Sequence, residues 1–279
     1  QKEESSQMSA KKSSIILSLV LLLLLPAVSV MATNTAKDNK KHKVEVKEPL
    51  TPDPYIEKRL DHPLKESPLN GSTVRGPVNT LPDGIDVSHY QGTINWAAVA
   101  ASGKVGYAYI KASESVSFVD DYYQYNMAEA RKHGINVGSY HFYRAHVDQD
   151  AQFRHMVSVI DPAKQDLVPV VDVESANGVS VETFASRLRR FLKRVEEYYG
   201  RPPILYTYVN FYNKYIAHRG FDHYPLFIAF YQDNKPSVSD GNKYIMWQYT
   251  SKGHVNGIHG NVDRSKFMNG HTIYDIIYP

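Results

Sequence analysis

The chain has 279 residues, 42% hydrophobic and 22% charged, with a formal net charge of +3 and no cysteine. That mix excludes wholesale disorder, collagen and coiled coil, and the lack of cysteine excludes a disulfide framework, a Cys-ligated zinc site, a cysteine nucleophile and a lipidated N-terminal cysteine. The charge imbalance sits in residues 1–82, with 12 basic and 9 acidic side chains, whereas residues 83–279 carry 20 of each. A neutral domain lacks the basic surface that displaces counterions, so no nucleic-acid partner is expected.

Lys11 and Lys12 precede an apolar run over residues 15–25; Pro26 ends it, and Val30-Met31-Ala32 offers a small-residue exit. This pattern predicts a signal peptide over residues 1–32 and export to the periplasm or the medium. The alternative is a retained membrane anchor over residues 15–32, which makes this N-terminal segment the place where membrane contact is expected. Residues 33–82 read as a flexible Pro/Lys-rich linker. A charge run spans residues 37–48, 8 of the 15 prolines precede residue 83, and few large apolar side chains are present to offset the entropy of ordering. The folded domain is expected over residues 83–279, a length that suits one domain, and as a monomer.

Within that domain, strand and helix patterns alternate. Strands are predicted at residues 84–88 and 107–111, with a helix at 95–102 between them that Gly103 stops. A helix at 120–133 follows, acidic at its start and basic at its end, with Gly134 as its C-cap signal. Next come a strand at 137–143, a helix at 148–159 and an apolar strand at 167–174. The clearest helix is 181–199, where Val181, Phe184, Ala185, Leu188, Phe191, Leu192 and Val195 recur at three- and four-residue steps between Ser180 and Gly200. Its arginines and Lys193 are expected to be solvated surface. Strands at 204–208, 226–231, 244–250 and near 262 follow, the last three separated by loops rather than full helices. Five strand–helix units and three less-wrapped strands make eight strands, enough to close a side-chain-filled barrel, and the alternation favours parallel neighbours.

In such barrels chemistry gathers where strands end. Asp86 is expected to close the first strand, Asp172 and Glu174 the fourth and Asp263 the last. Residues i and i+2 of a strand share a face, so Asp172 and Glu174 point into the same space. Carboxylates crowded at the end of an apolar strand are costly to ionise, which raises at least one pKa and suits a general acid. Of 21 tyrosines, 20 lie in residues 83–279. Tyr140, Tyr206, Tyr249 and Trp247 fall on or near strand ends, where flat rings with polar tips can bind sugars. No histidine pair has the i, i+4 spacing of a zinc hydrolase, no Gly-x-Ser-x-Gly elbow is present and no glycine loop cradles phosphate, so neither metal nor cofactor is expected. His141 is assigned to the cleft lining or to orienting a neighbour.

These residues also carry a family likeness. Gly84-Ile85-Asp86-Val87-Ser88-His89-Tyr90-Gln91-Gly92 resembles the opening motif of the family-25 glycoside hydrolases, lysozymes that cut bacterial cell wall. Gly138-Ser139-Tyr140-His141-Phe142 resembles that family's third strand and Val171-Asp172-Val173-Glu174 its Asp-x-Glu strand. The segments 245–250 and 257–263 resemble its closing motifs. The likeness covers about residues 83–270, in order. It implies an irregular TIM-like α/β barrel of five β/α units followed by three less-wrapped strands, acting on peptidoglycan glycan strands at the β-1,4 bond between N-acetylmuramic acid and N-acetylglucosamine. Glu174 falls at the family's acid, Asp172 at its partner, and Asp86 and Asp263 at supporting carboxylates. Gln91 and Gln248, inside the motifs, join Tyr140, His141, Tyr206, Trp247 and Tyr249 as candidate substrate contacts. Phe227 stands where Trp is usual and Ser265 where Asn is common, departures expected to bear on substrate contacts.

The expected reaction retains configuration. Glu174 protonates the leaving oxygen and then deprotonates water, while either Asp172 or, as favoured here, the substrate's own 2-acetamido oxygen attacks the anomeric carbon. Two other classes stay open at this stage: a chitin-type glycosidase, which would carry a longer Asp-rich run before Glu174, and a wall-binding module without turnover.

Overall fold

A computed structural model describes residues 83–279; the expected signal peptide or anchor and the linker lie outside the described residues. Nine strands form one sheet: β1 (Gly84–Val87), β2 (Tyr107–Glu114), β3 (Phe118–Val119), β4 (Asn136–Phe142), β5 (Val170–Asp172), β6 (Ile204–Tyr208), β7 (Leu226–Ala229), β8 (Met246–Gly253) and β9 (Val262–Phe267). The order β1-β9-β8-β7-β6-β5-β4-β2, with β1 also paired to β2, closes eight of them into a barrel. β3 stands outside the ring, folded back antiparallel on β2.

Neighbours from β1 through β2 and β4 to β8 run parallel. β9 is antiparallel to both β8 and β1, which departs from the expected parallel pattern. The cause is connection length. Only residues 254–261 join β8 to β9, short of the dozen or more that a parallel crossover needs.

Four helices cover the parallel wall: α1 (Trp96–Ala101), α2 (Tyr123–Lys132), α3 (Gln149–Val159) and α4 (Val181–Tyr199). Three of their starts are capped: Ser180, as expected, and Asn95 and Asp148, expected as helical residues, each accept a backbone N–H from the first turn. α2 begins three residues later than expected, because Asp120 is drawn away from the helix. Its buried carboxylate accepts from the backbone N–H groups of His89 and Tyr122 and pairs with the His89 ring at 2.7 Å. The fifth unit is completed by a turn not foreseen from periodicity, α5 (Val209–Phe211), which continues as a π-helical turn at Tyr212–Ile216. α4 buries Phe184, Ala185, Leu188, Phe191, Leu192 and Val195 of the stripe read from the sequence and adds Tyr199, while Val181, in the first turn, is only half-buried. Its basic face is knitted to neighbours: Arg190 and Arg194 both pair with Asp150, and Lys193 with Glu197. Among the described residues no helix is long and apolar enough to cross a membrane.

The barrel interior is aromatic. Tyr107 and Tyr109, two apart on β2, both point inward; Tyr107 meets Phe267, Tyr109 meets Phe227, and Phe227 meets Tyr206 edge-on. Rings this large fit because the facing strands give way. A Cβ on Gly84 would lie 2.0 Å from the Tyr107 ring, and one on Gly138 2.4 Å from the Tyr109 ring. The buried phenols are satisfied by Ser265 at 3.2 Å and the Val168 carbonyl at 3.1 Å. The apolar run before Asp172 is shorter as a strand than expected. Pro169 has no N–H to give, and Leu167 and Val168 pair instead with the C-terminal Ile277 and Ile276.

Candidate active site

Three strand ends bring the carboxylates together. β1 delivers Asp86 and β5 ends on Asp172. β9 runs the other way, so it is its beginning that meets the end of β1: Asp263 opens that strand rather than closing it, and sits opposite Asp86 in register. Glu174 lies two residues beyond β5. The backbone stays extended there, since the Val173 N–H donates to the Tyr206 carbonyl at 2.9 Å, and Asp172 and Glu174 come within hydrogen-bonding reach of one another. All four acids line one open cleft, together with Tyr140, Tyr206, Gln91 and Gln248 from the predicted set and with Tyr90, Lys111, Phe142 and Phe227.

The cleft stores negative charge that burial makes costly. Burial pushes Asp86 up to about 8, helped by the Asp263 charge and opposed by a hydrogen bond from Gln248. Asp263 rises to about 6 by burial and the Glu174 charge. Burial raises Asp172 well above the usual carboxylate range, and the adjacent Glu174 carboxyl adds to it. Glu174 is raised by burial too, against a hydrogen bond from Asp172 and the cations of Arg144 and Lys111. Two carboxyls this close and this largely desolvated hold a proton between them at pH values where isolated carboxylates are bare. One oxygen of Asp172, Oδ1, is buried with no hydrogen-bond partner.

Three predicted contacts are elsewhere, for one reason. Side chains alternate across a strand, and in each case the neighbour took the inward position. Tyr140 faces the cleft, so His141 faces the helices. There it is fully buried, bonded to Ser113 at 2.8 Å and Gln152 at 3.2 Å and stacked on Phe191. Burial drives its pKa down to about 3, which makes it a neutral core histidine. On β8, Gln248 faces in and its neighbours face out. Trp247 donates to the Phe230 carbonyl at 2.8 Å, Tyr249 donates to Asp83 at 2.6 Å, and both rings carry the Lys266 ammonium. Of the two departures, Phe227 does line the cleft, whereas Ser265 is fully buried beneath it and bonds Tyr107; only Phe227 is placed to bear on substrate.

Two residues escaped sequence reasoning. Lys111 is 7% exposed, paired with Glu114 at 2.7 Å and set between the Phe118 and Phe142 rings, each 5.2 Å away. A lysine inside an otherwise apolar strand was the available signal. Tyr231, on the loop after β7, donates to Gln248 Oε1 at 2.5 Å, and nothing in its sequence context marked it. Among the described residues no group of three or more His, Cys, Asp or Glu side chains is arranged to hold a metal ion.

Comparison with known proteins agrees with this geometry. Residues 85–258 match the family model for glycosyl hydrolases family 25. The chain is 33% identical over 204 residues to the Escherichia coli K12 protein YegX, covering 72% of this chain and 74% of that one. It is 32% identical over 210 residues to lysozyme M1 of Streptomyces globisporus, covering 69% and 70%. The crystal structure of a lysozyme from Streptomyces coelicolor superimposes with a TM-score of 0.62 at 32% identity, over 69% of this chain and 94% of that one.

Proposed function

The chain belongs to glycosyl hydrolase family 25 and is a glycoside hydrolase of the lysozyme class, a peptidoglycan hydrolase; from that premise we propose that it cleaves the β-1,4 bond between N-acetylmuramic acid and N-acetylglucosamine with retention of configuration. Glu174 gives its proton to the leaving glycosidic oxygen and then takes one from the attacking water. The substrate's 2-acetamido oxygen attacks the anomeric carbon, and Asp172 accepts the acetamido N–H, which sharpens the nucleophile and stabilises the positive charge it acquires. Asp86 and Asp263 line the same cleft and tune its charge. The observation that supports this reading is the Asp172–Glu174 pair: two carboxyls within a hydrogen bond of each other, both pushed up by burial, so that the pair retains a proton to give. A pair that flanks the bond for direct attack stands about 5–5.5 Å apart, and an inverting pair wider still. Carboxyls this close approach the sugar from one side, one as acid and the other as the acetamido's partner.

Zymography on peptidoglycan beside chitin tests the substrate; clearing of chitin alone would move the chain to the chitin-type alternative, and clearing of neither would favour a binding module. NMR of the first product tests the stereochemistry, with the β-anomer expected and an initial α-anomer rejecting retention. A glycosyl adduct trapped on Asp172 would replace the acetamido route by direct attack. Export is the proposed destination, with residues 1–32 as a cleaved signal peptide or residues 15–32 as a retained anchor, and sequencing the mature N-terminus tells the two apart.

A further inference from the structure

A chain of hydrogen bonds runs from the protein surface to a buried acid. Gln248 is 2% exposed, and its side-chain oxygen accepts from two phenols, Tyr206 at 2.8 Å and Tyr231 at 2.5 Å. An amide oxygen has two lone pairs, so it is saturated. The other end of the amide is thereby directed, and Nε2 donates to Asp86 Oδ2 at 2.9 Å. Tyr206 is buried, but Tyr231 is 48% exposed and reaches in from the loop after β7. A surface tyrosine satisfied by water would have no need of a buried amide.

We propose that Tyr231 is a positioning residue: with Tyr206 it locks the Gln248 amide so that its N–H points at Asp86 Oδ2, and thereby keeps any proton of Asp86 on Oδ1. This rests on the functional reading above and names a further participant in it. The physical step is short. An oxygen that accepts an N–H cannot carry a proton directed at the same hydrogen, so the proton of a neutral Asp86 belongs on Oδ1. Without Tyr231 one lone pair of Gln248 Oε1 is bare. The amide can then turn over, giving its NH₂ to Tyr206 and presenting Oε1 to Asp86 Oδ2. That arrangement is tolerable only when Oδ2 carries the proton, so it favours neutral Asp86 and moves the proton to the wrong oxygen.

The surroundings leave the lock as the adjustable element. The charges facing Asp86 are Asp263 on β9 and Asp172 on β5, with Lys111 of β2 in the same cleft. The phenols that feel its charge are Tyr107 and Tyr109 on β2, Tyr140 on β4, Tyr206 on β6 and Tyr231 itself. Burial and the nearby carboxylates also push the Tyr231 phenol up, so it remains a donor throughout the neutral range.

The test is Tyr231→Phe in the full chain, which removes one oxygen from a half-exposed ring. Three quantities are read: kcat and KM on solubilised peptidoglycan, and the Asp86 titration followed by carboxyl ¹³C NMR with Asp86→Asn for assignment. The expectation is a roughly tenfold fall in kcat with KM within about twofold, and an Asp86 midpoint about one pH unit higher. Unchanged kcat and an unchanged Asp86 titration would overturn the proposal. So would a kcat loss with Asp86 titrating as before, since that would make Tyr231 a direct substrate contact. The titration needs no substrate. Should the parent protein prove inactive on peptidoglycan, the functional reading fails while the Asp86 shift still decides whether the lock exists.

Discussion

The cleft and the outer helical shell use the same acidic side chains in opposite ways. On the shell acids are set against cations: Asp150 holds Arg190 and Arg194, Asp166 holds Arg131, and Glu129 holds Lys132. In the cleft four carboxyls face one another, and the nearest buried cation, Lys111, is itself engaged by Glu114. Shell acids are therefore offset by their partners and add little, while burial holds the cleft acids up toward protonation at a cost to the fold. Charge left uncompensated in a dry cleft is the trace of chemistry, because a fold selected for stability alone would pair it or remove it.

The largest expected effect of breaking this contrast lies in the cleft. Glu174→Gln should lower peptidoglycan hydrolysis by about 10²–10⁴-fold while leaving the thermal transition in place, as loss of a positioned acid does. Asp172→Asn should cost a comparable factor, and the double variant should be little worse than Glu174→Gln alone, because residues that act as one unit are not additive. Near-normal turnover by Glu174→Gln would remove it from the mechanism. The activity of the unmodified protein should also fall as pH rises, since deprotonating the raised Asp172–Glu174 pair removes the acid.

Next comes stability against pH. The folded protein holds Asp86 protonated up to about 8, whereas the unfolded chain releases that proton near the ordinary value of 3.8. The folded state thus binds more protons between those limits, and stability falls as pH rises through them. Asp263, raised to about 6, acts with the same sign over a narrower window. Asp86→Asn mimics the neutral acid. It should melt with the parent at pH 4 and about 5–10 °C above it at pH 8. A variant less stable than the parent at pH 8 would show that Asp86 is ionised and compensated in the fold. A third test concerns the frame beneath the cleft. Gly138→Ala drives a methyl into the Tyr109 ring and should cost about 1–3 kcal/mol in urea unfolding; an unchanged midpoint would mean that the barrel interior yields freely.

The same contrast explains what could be read in advance. The apolar stripe of α4 and the order of eight strands were legible because periodicity and length report burial directly. The acids were legible because carboxylates at the end of an apolar strand such as 167–174 contradict their surroundings. What failed was phase. Alternation says that Tyr140 and His141 face opposite sides, but not which side is the cleft, and His141, Trp247 and Tyr249 were all placed on the wrong one. The antiparallel β9 was within reach, since residues 254–261 are too few for a crossover. Tyr231 was not, because a loop residue's partner depends on a path that no local pattern encodes.

The smallest effect should come from the shell. Asp150→Asn removes the charge that two arginines share and one of the two oxygens they bond, yet it should lower stability by less than about 1 kcal/mol and by less still at high salt, because pairs in reach of solvent are screened by water and ions. Arg194 keeps its place over the Phe153 ring at 4.2 Å, and Arg190 is more than half exposed and returns to solvent. A chemical-denaturation loss above about 2 kcal/mol, insensitive to salt, would break the comparison: the shell pairs would then be holding the barrel, and the cost borne by the cleft would have a structural offset outside it.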